Sequence, residues 1–225
     1  MSANKSAAEV KEAFIEGYPD GSGELAHWLW NDISNLHMNW TNYRILFGTD
    51  EAIIDLLNSV ASSFFAIVER VLRHDSVLRI CRITDPPFFG RSKRNSNASL
   101  RQLSFRTEND LPEELQDEFA KQLNKLDELA DPIRTLRDKR IAHSDSGVVL
   151  EYSSEPLGVS RAAVEDILSK IRGAFHLLED HYLGSVTSFE HVIQANDARK
   201  LLYHLRQVRT FEEIERVVLN AKLGR

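Results

Sequence analysis

The chain has 225 residues, of which 42% are hydrophobic and 28% are charged, with 10 glycines and 6 prolines. This composition is typical of a globular protein with a packed core, and it excludes a disordered or fibrous chain. The formal net charge of −6 argues against a protein that coats nucleic acid with its whole surface.

Cysteine content and hydropathy predict where the protein acts. The single cysteine, Cys81, has no partner for an intramolecular disulfide, which is typical of a reducing compartment. The N-terminal segment contains no uninterrupted apolar stretch of signal-peptide length, and no later window resembles a membrane span of about 18 to 20 apolar residues. We therefore predict a cytoplasmic protein with no membrane partner.

Hydrophobic residues recur at steps of three and four along most of the chain, which predicts an all-α fold. A capping box at Ser6 and Glu9 begins a short first helix. A long amphipathic helix is predicted over residues 25–47. A third helix is predicted over residues 49–83, and it ends before Pro86 because proline disfavours helix in the residue that precedes it.

In the middle of the chain, helix-breaking residues alternate with stretches of helical periodicity. Residues 88–99 are rich in Gly, Ser, Asn and basic residues, which predicts an exposed basic loop before a short helix at 100–105. Asp110 is a candidate N-cap for the next helix. Proline inside a helix costs about 3 kcal/mol, so at Pro132 we expect either a kink or a fresh start with Asp131 as N-cap.

The last third of the chain is predicted to hold three further helices. A short extended segment is the candidate structure for residues 148–152. Ser160 then caps a helix that Gly184 ends. A helix over 198–208 follows, and another begins at a capping box that starts with Thr210.

These elements predict a single domain with two extensions. A helical bundle of about four core helices spans residues 25–184. An N-terminal extension with a short helix spans 1–24, and a C-terminal helical extension spans 185–225.

Charge is distributed unevenly along the sequence. Between residues 70 and 106, nine basic side chains stand against two acidic ones, a local charge of about +7. The basic residues are Arg70, Arg73, Arg79, Arg82, Arg91, Lys93, Arg94, Arg101 and Arg106. The sign reverses over residues 108–131. The two segments either pair with each other or leave the basic one available to nucleic acid, and the sequence leaves both open.

Arg137 and His143 occupy positions where the apolar pattern would place core or interface residues. A buried cation without a partner is costly, so such positions indicate a wet cleft, a partnered network or an anionic ligand. Six residues at about 100° each separate the two side chains by about 120° around an unbroken helix. His143 must therefore lie past the helix end or meet the Arg137 of a second chain.

The pair also carries a family resemblance. Arg137-Asp138 followed, after five intervening residues, by His143 resembles the Arg-[Asn/Asp/His]-…-His signature of the HEPN superfamily. The strings RDKRIAHSD, LRICRITDP and HWLWNDI resemble the AbiU-type branch of abortive-infection proteins, over roughly residues 25–203. This resemblance implies a helical bundle that dimerises. Many members cleave RNA without a metal ion, and others only bind or scaffold.

The chemistry of these residues fits RNA cleavage. RNA is cut by its own 2′-hydroxyl when a base removes that proton and an acid protonates the leaving oxygen. His143, with an ordinary pKa near 6.5, suits proton transfer, and Arg137 presents a planar fork of donors to phosphate. Asp138 would orient one of these groups. The predicted RNA-binding residues are Lys139, Arg140, Ser144, Arg82, Arg91, Lys93 and Arg94.

Two other clusters attract attention and are given simpler interpretations. His176 and His181 are five residues apart and do not share a helix face, so we predict no metal site and no other cofactor. Trp28, Trp30 and Trp40 are interpreted as core and interface aromatics and not as a base-stacking platform.

The leading hypothesis is therefore a homodimeric, metal-independent endoribonuclease with a composite Arg/His site. It would act in phage defence or as a toxin-like effector, with an antitoxin or defence-system partner. Two alternatives stay open. One is a non-catalytic HEPN module that binds RNA, a nucleotide or a protein. The other is a structural interaction domain in which Arg137 and His143 form internal ion pairs.

Overall fold

The computed structural model describes residues 6–19, 21–48, 50–90, 95–142, 159–191 and 197–222. These residues form seven α-helices, which confirms the predicted all-α class. The helices are α1 (Ala7–Gly17), α2 (Gly23–Phe47), α3 (Glu51–Thr84), α4 (Leu100–Thr107), α5 (Glu113–Leu136), α6 (Arg161–Leu183) and α7 (Ala198–Lys222). The other elements are strands β1 (Phe88–Phe89) and β2 (Asn95–Ser96), a π-helical segment (Arg137–Ala142) and a 3₁₀ turn (Phe189–His191).

The chain divides into two compact units. The first comprises Met1–His37 and His74–Val192, and the second comprises Met38–Arg73 and Ile193–Arg225. Helices α2 and α3 contribute to both units. The domain boundaries given above, at residues 24 and 184, stay a prediction.

The core of the first unit lies between α5 and α6, which pack along their lengths. The predicted apolar stripe of α5 is buried, and its members are Phe119, Leu123, Leu126, Ala130 and Ile133. Helix α6 buries a matching face that includes Ile167, Ile171, Phe175 and Leu178. Spacings of three and four residues place each set on one side of its helix, so removal of this apolar area from water drives the pairing.

Aromatic side chains attach α1 to this core. The Phe14 ring lies 6.1 Å from the Trp30 ring and 6.4 Å from the Phe175 ring, centroid to centroid. The predicted capping box is present, because the Ser6 hydroxyl accepts from the Glu9 N–H and the Glu9 carboxylate accepts from the Ser6 N–H. These contacts fix the start of α1 and its buried face.

Most predicted helix limits agree with the structure, and three differ. Helix α3 ends before Pro86, and Ser160 and Gly184 cap α6 as expected. Asp110 does not cap α5, which begins after Pro112 with no side-chain cap. Helix α5 is also continuous through Pro132, so no new helix starts at Asp131. Burial of the stripe on both sides of the proline offsets the lost backbone hydrogen bond.

The third difference concerns α7, where two helices were predicted and one continuous helix is found. The Thr210 hydroxyl donates to the Arg206 carbonyl one turn earlier, at 3.0 Å, and does not cap a new helix.

In the predicted basic loop, Phe88–Phe89 pairs antiparallel with Asn95–Ser96. Residues 91–94 of that loop and the candidate strand 148–152 lie outside the described residues.

One described helix is long and apolar enough to span a membrane by length and composition, whereas the sequence analysis predicted no such segment. An 18-residue window within Glu51–Thr84 has a mean hydropathy of 1.5, and 17% of that window is buried. Acidic residues and serines interrupt the apolar residues of this helix, so a search for uninterrupted apolar residues does not find it. By itself such a helix is weak evidence for a membrane protein.

A stack of three rings holds His37 in a buried position in the first unit. The His37 ring stacks on Phe189, with centroids 5.8 Å apart, and Phe189 stacks in turn on His176. Burial lowers the pKa of His37 to about 4, and the nearby Arg172 cation acts in the same direction. His37 is therefore neutral in the folded protein at neutral pH.

This burial predicts a loss of stability in acid. The unfolded chain binds a proton at His37 below pH 6.5 and the folded chain does so only near pH 4, so stability falls as the pH drops through this window. We expect the His37 contribution to reach about 2–3 kcal/mol between pH 7 and pH 4.5. Urea denaturation at both pH values should show a smaller drop for His37→Phe than for the wild type. An equal drop in both proteins would contradict the assignment.

Candidate functional site

The residues singled out from the sequence lie where the C-terminal ends of α3 and α5 meet. Arg137 is the C-cap of α5 and the first residue of the π-helical segment, and its N–H bonds the carbonyls of Ile133 and Arg134. Its side chain is 24% exposed. Arg137 is thus a partly buried cation.

Two carboxylates hold the Arg137 guanidinium. Its Nη1 donates to Oδ1 of Asp85, the residue that follows α3, at 3.2 Å. Its Nε donates to Asp138 Oδ1 at 2.8 Å. The Asp138 hydrogen bond is the main cause of the raised pKa of Arg137, and Asp85 adds to it. Arg137 is thus a fixed, permanent cation with its fork oriented by groups from two elements.

Cys81 lies close to this group but is not a reactive thiol. Its side chain is buried, and burial raises the pKa of the thiol to about 11, although the Arg137 cation opposes that shift. The thiolate is the nucleophilic form of cysteine, so the raised pKa leaves Cys81 inert at neutral pH.

The backbone after Arg137 differs from the geometry that was expected to separate Arg137 and His143 around the helix. The sequence argument assumed an unbroken α-helix, but α-helical geometry ends at Leu136 and residues Arg137–Ala142 are π-helical. Hydrogen bonds from residue i to i+5 widen the helix, so the 120° separation does not apply. Lys139 is exposed in this segment. His143 and Ser144, and the Arg140 side chain, lie outside the described residues.

Arg82 belongs to a second ion-pair cluster. Its Nε and Nη2 donate to the two oxygens of Asp32 at 3.0 and 2.6 Å, and Arg79 also donates to Asp32. The Arg82 guanidinium lies 5.3 Å from the centroid of the half-exposed Trp28 ring. Arg82 is 45% exposed, so part of its fork faces solvent.

Sequence reasoning missed Asp32, which is only 5% exposed. The signal was present, because Asp32 stands three residues after Leu29 and four before Leu36, both fully buried. A carboxylate on the core side of a helix requires cations nearby. Arg79 and Arg82 on α3 supply them, one turn apart.

An ion pair of Arg101 joins the basic segment to the acidic one, whereas Arg79 and Arg82 of the basic segment bond Asp32 instead. Arg101 Nε donates to Asp127 Oδ2 at 2.9 Å, and Arg134 Nη2 donates to Asp127 Oδ1 at 2.9 Å. Arg134 Nη2 also donates to the Thr84 carbonyl at the end of α3. These bonds fix α5 against α3 one turn before Arg137.

The histidines considered as metal ligands have other partners. His176 Nε2 lies 2.8 Å from the Thr187 carbonyl oxygen, and the buried Glu179 accepts from the Thr187 N–H at 2.9 Å. Trp30 Nε1 also donates to the Thr187 hydroxyl. Within the described ranges, no group of three His, Cys, Asp or Glu side chains could hold a metal ion.

A comparison with protein families identifies the fold. A family model described as HEPN AbiU2 matches residues 22–201. The chain belongs to this HEPN family. The match includes α2 to α6, and so both the Asp32 cluster and Arg137 lie within the HEPN region. No curated protein and no solved structure matches the chain.

The Asp32 cluster should be a stability determinant of this HEPN protein. In Asp32→Asn, two arginines lose their shared carboxylate, and we expect the free energy of unfolding to fall by about 2–3 kcal/mol. Breaking a fully buried ion pair costs ~3–5 kcal/mol. The expected loss is smaller here because the two arginines reach solvent. The matched control is Asp131→Asn, which removes an exposed partner of Arg134 and should cost about 0.5 kcal/mol or less. Chemical denaturation measures both, and equal effects would argue against the cluster.

Proposed function

We propose that this HEPN protein is a metal-independent endoribonuclease whose site is built on Arg137 and His143. The single observation that carries the proposal is the fixed Arg137 guanidinium at the start of a π-helical segment that leads directly to His143. Single π-helical turns occur frequently at functional sites.

Arg137 would stabilise the charge that develops on phosphate during cleavage. A guanidinium has five N–H donors in one plane, and Asp85 and Asp138 engage its Nη1 and Nε atoms. Neither of these bonds involves Nη2, which would bind a nonbridging phosphate oxygen. Because two carboxylates already orient the fork, little reorganisation is needed when the phosphate arrives.

His143 would transfer the proton. In the neutral form it removes the proton of the 2′-hydroxyl, and the oxygen attacks the adjacent phosphorus. In the charged form it protonates the 5′-oxygen that leaves. The products would carry a 2′,3′-cyclic phosphate and a 5′-hydroxyl, and no metal ion takes part.

The RNA backbone would lie along the cations near this site. Lys139 is exposed one residue after Asp138 and would contact phosphate directly. Arg82 would contribute the exposed part of its fork, beside Trp28. Arg140, Ser144 and the loop cations Arg91, Lys93 and Arg94 complete the proposed surface on sequence grounds.

A second candidate function is favoured by the same ion pairs. Asp85 and Asp138 together neutralise the Arg137 charge, as in a structural network. In that case the protein is a non-catalytic HEPN module that binds RNA, a nucleotide or a protein. As part of the proposal, either form would act in phage defence, in the cytoplasm and with a defence-system or antitoxin partner; the abortive-infection resemblance supports this role.

The first test is cleavage without metal. Purified protein should cut labelled RNA in the presence of EDTA. Arg137→Ala and His143→Ala should each lower the rate of RNA cleavage at least about 100-fold. This is the effect expected from the loss of one charge-stabilising donor or of one proton-transfer group. Arg137→Lys should not restore the rate, because an ammonium lacks the fork. Product ends are read by treatment with a phosphatase that opens and removes cyclic phosphates.

Arg101→Ala is the matched control, since it removes a comparable ion-paired arginine in the same unit. It should lose stability without a specific loss of cleavage. Equal cleavage by the wild type and His143→Ala would refute the catalytic assignment. RNA binding with no cleavage by any form would favour the non-catalytic module.

The second test concerns a composite site shared by two copies, which the HEPN resemblance implies. Arg137→Ala and His143→Ala proteins are mixed under conditions that exchange subunits. A mixed dimer retains one Arg137 and one His143 on opposite chains, so we expect part of the activity that both parents lack. Each variant mixed with itself is the control. Confirmed exchange with no recovered cleavage would count against a shared site.

A further inference from the structure

The second half of α7 makes little contact with the rest of the described chain. From residue 206 to residue 222, every side chain that the structure describes is exposed. An isolated helix of this length is marginal in water, since most helices in proteins depend on the packing of an apolar face. The helix therefore requires a partner surface.

This helix carries an exposed apolar face. Six side chains on it are 41–67% exposed: Leu201, Val208, Phe211, Ile214, Val218 and Leu219. At about 100° per residue, all six lie within about 80° of Phe211 around the helix. The buried Leu202 lies on the opposite side. We name these six residues the α7 face.

The opposite side of α7 is directed at α3 in the same unit. Val208, Arg209, Glu213 and Arg216 line a cleft together with Ser59 and Val60 of α3, and Arg209 Nε bonds Glu213 at 3.2 Å. Arg209 and Glu213 lie about 160° from Phe211. Val208, at the edge of the α7 face, thus reaches this cleft, and the other five residues of the face lie outside it.

The α7 face is nearly symmetric about Phe211. Val208 and Ile214 lie three residues to either side of it, Gln207 and Glu215 lie four residues away, and His204 and Val218 lie seven residues away. When two copies of such a helix pack antiparallel about Phe211, a residue n positions before Phe211 in one copy lies level with the residue n positions after Phe211 in the other. Phe211 then meets Phe211, and Gln207 lies level with the Glu215 carboxylate of the second copy.

We propose that the α7 face binds a second copy of this chain as an antiparallel helix pair with its two-fold axis at Phe211. The pairing is isologous, because the same surface of both copies forms the contact. Phe211 meets Phe211, Val208 lies level with Ile214 and Leu219 lies level with Tyr203, and Gln207 supplies an amide donor for Glu215.

A lipid surface fits the same face less well. Glu215 lies about 40° from Phe211, so insertion of the α7 face into hydrocarbon would bury its carboxylate without a partner. In the antiparallel pair that carboxylate stays near Gln207 and at the edge of solvent. The exposed α3 side chains Phe64, Ile67 and Val71 belong to the same unit and lie at steps of three and four. Both helices of this unit therefore present exposed apolar side chains at helical spacing.

The interface is independent of the HEPN site. All of its residues after Leu201 lie beyond the matched residues 22–201, and it belongs to the second unit, whereas Arg137 belongs to the first. It would supply the two copies that a shared Arg137/His143 site needs. Its tests measure assembly and not cleavage, so a failure of this proposal is distinguishable from a failure of the proposed function.

Disulfide formation tests the pairing and its direction. In an antiparallel pair, His204 lies level with Val218 of the second copy, whereas the two His204 residues are about 21 Å apart at 1.5 Å per residue. Co-expressed His204→Cys and Val218→Cys chains should therefore form a disulfide-linked dimer on oxidation, and either variant alone should not. Wild-type protein, whose only cysteine is buried, is one control. Arg209→Cys, on the opposite side of the helix, is the other.

Particle mass provides a second, independent measurement. The native mass of Phe211→Glu should be half that of the wild type, with folding checked by the thermal transition, because Phe211 is 67% exposed and contributes little to its own chain. Arg209→Glu should keep the wild-type mass. An unchanged mass for Phe211→Glu, cross-linking of His204→Cys with itself, or a monomeric wild type would each overturn the proposal. A monomer that floats with phosphatidylglycerol vesicles would assign the face to a membrane instead.

Discussion

The arrangement of the first unit depends on a buried carboxylate shared by two arginines. Asp32 of α2 requires a counter-charge because a lone buried carboxylate is costly, and Arg79 and Arg82 on successive turns of α3 provide it. This requirement fixes the rotation of α3 about its own axis. Since Asp85 is three residues after Arg82, the same rotation presents the Asp85 carboxylate to Arg137.

Charge pairing continues from this point into α5. Arg134 bonds both Asp127 on its own helix and the Thr84 carbonyl at the end of α3, so the two helix ends are joined by hydrogen bonds. Arg137 follows one turn later, at the position where the α-helix becomes π-helical. The HEPN motif thus begins at a place where backbone geometry changes and side chains from two helices hold the arginine. Such a setting fixes a cation without burying it completely.

The two units place different demands on their sequences. In the first unit, buried apolar stripes on α5 and α6 meet each other within the chain. In the second, Ala198 and Leu202 at the start of α7 are buried, whereas the described apolar side chains from Val208 onward are exposed. The first unit therefore buries its main apolar stripes within the chain, whereas the second half of α7 leaves an apolar stripe exposed.

The sequence by itself determined the helices, because their positions follow from local repeats of three and four residues and from caps such as Ser6, Ser160 and Gly184. It also identified Arg137 and Asp138, because the motif is contiguous. Only the tertiary structure revealed Asp32 with Arg79 and Arg82, and Asp85 with Arg137, since these partners are about 50 residues apart in sequence. Local pattern also failed at Thr210, and the new helix start that was one of two alternatives at Pro132 is not found, because packing and helix continuity outweighed residue preference. The backbone change at Arg137 was equally beyond sequence reasoning, because the i to i+5 pattern leaves no signature in residue spacing.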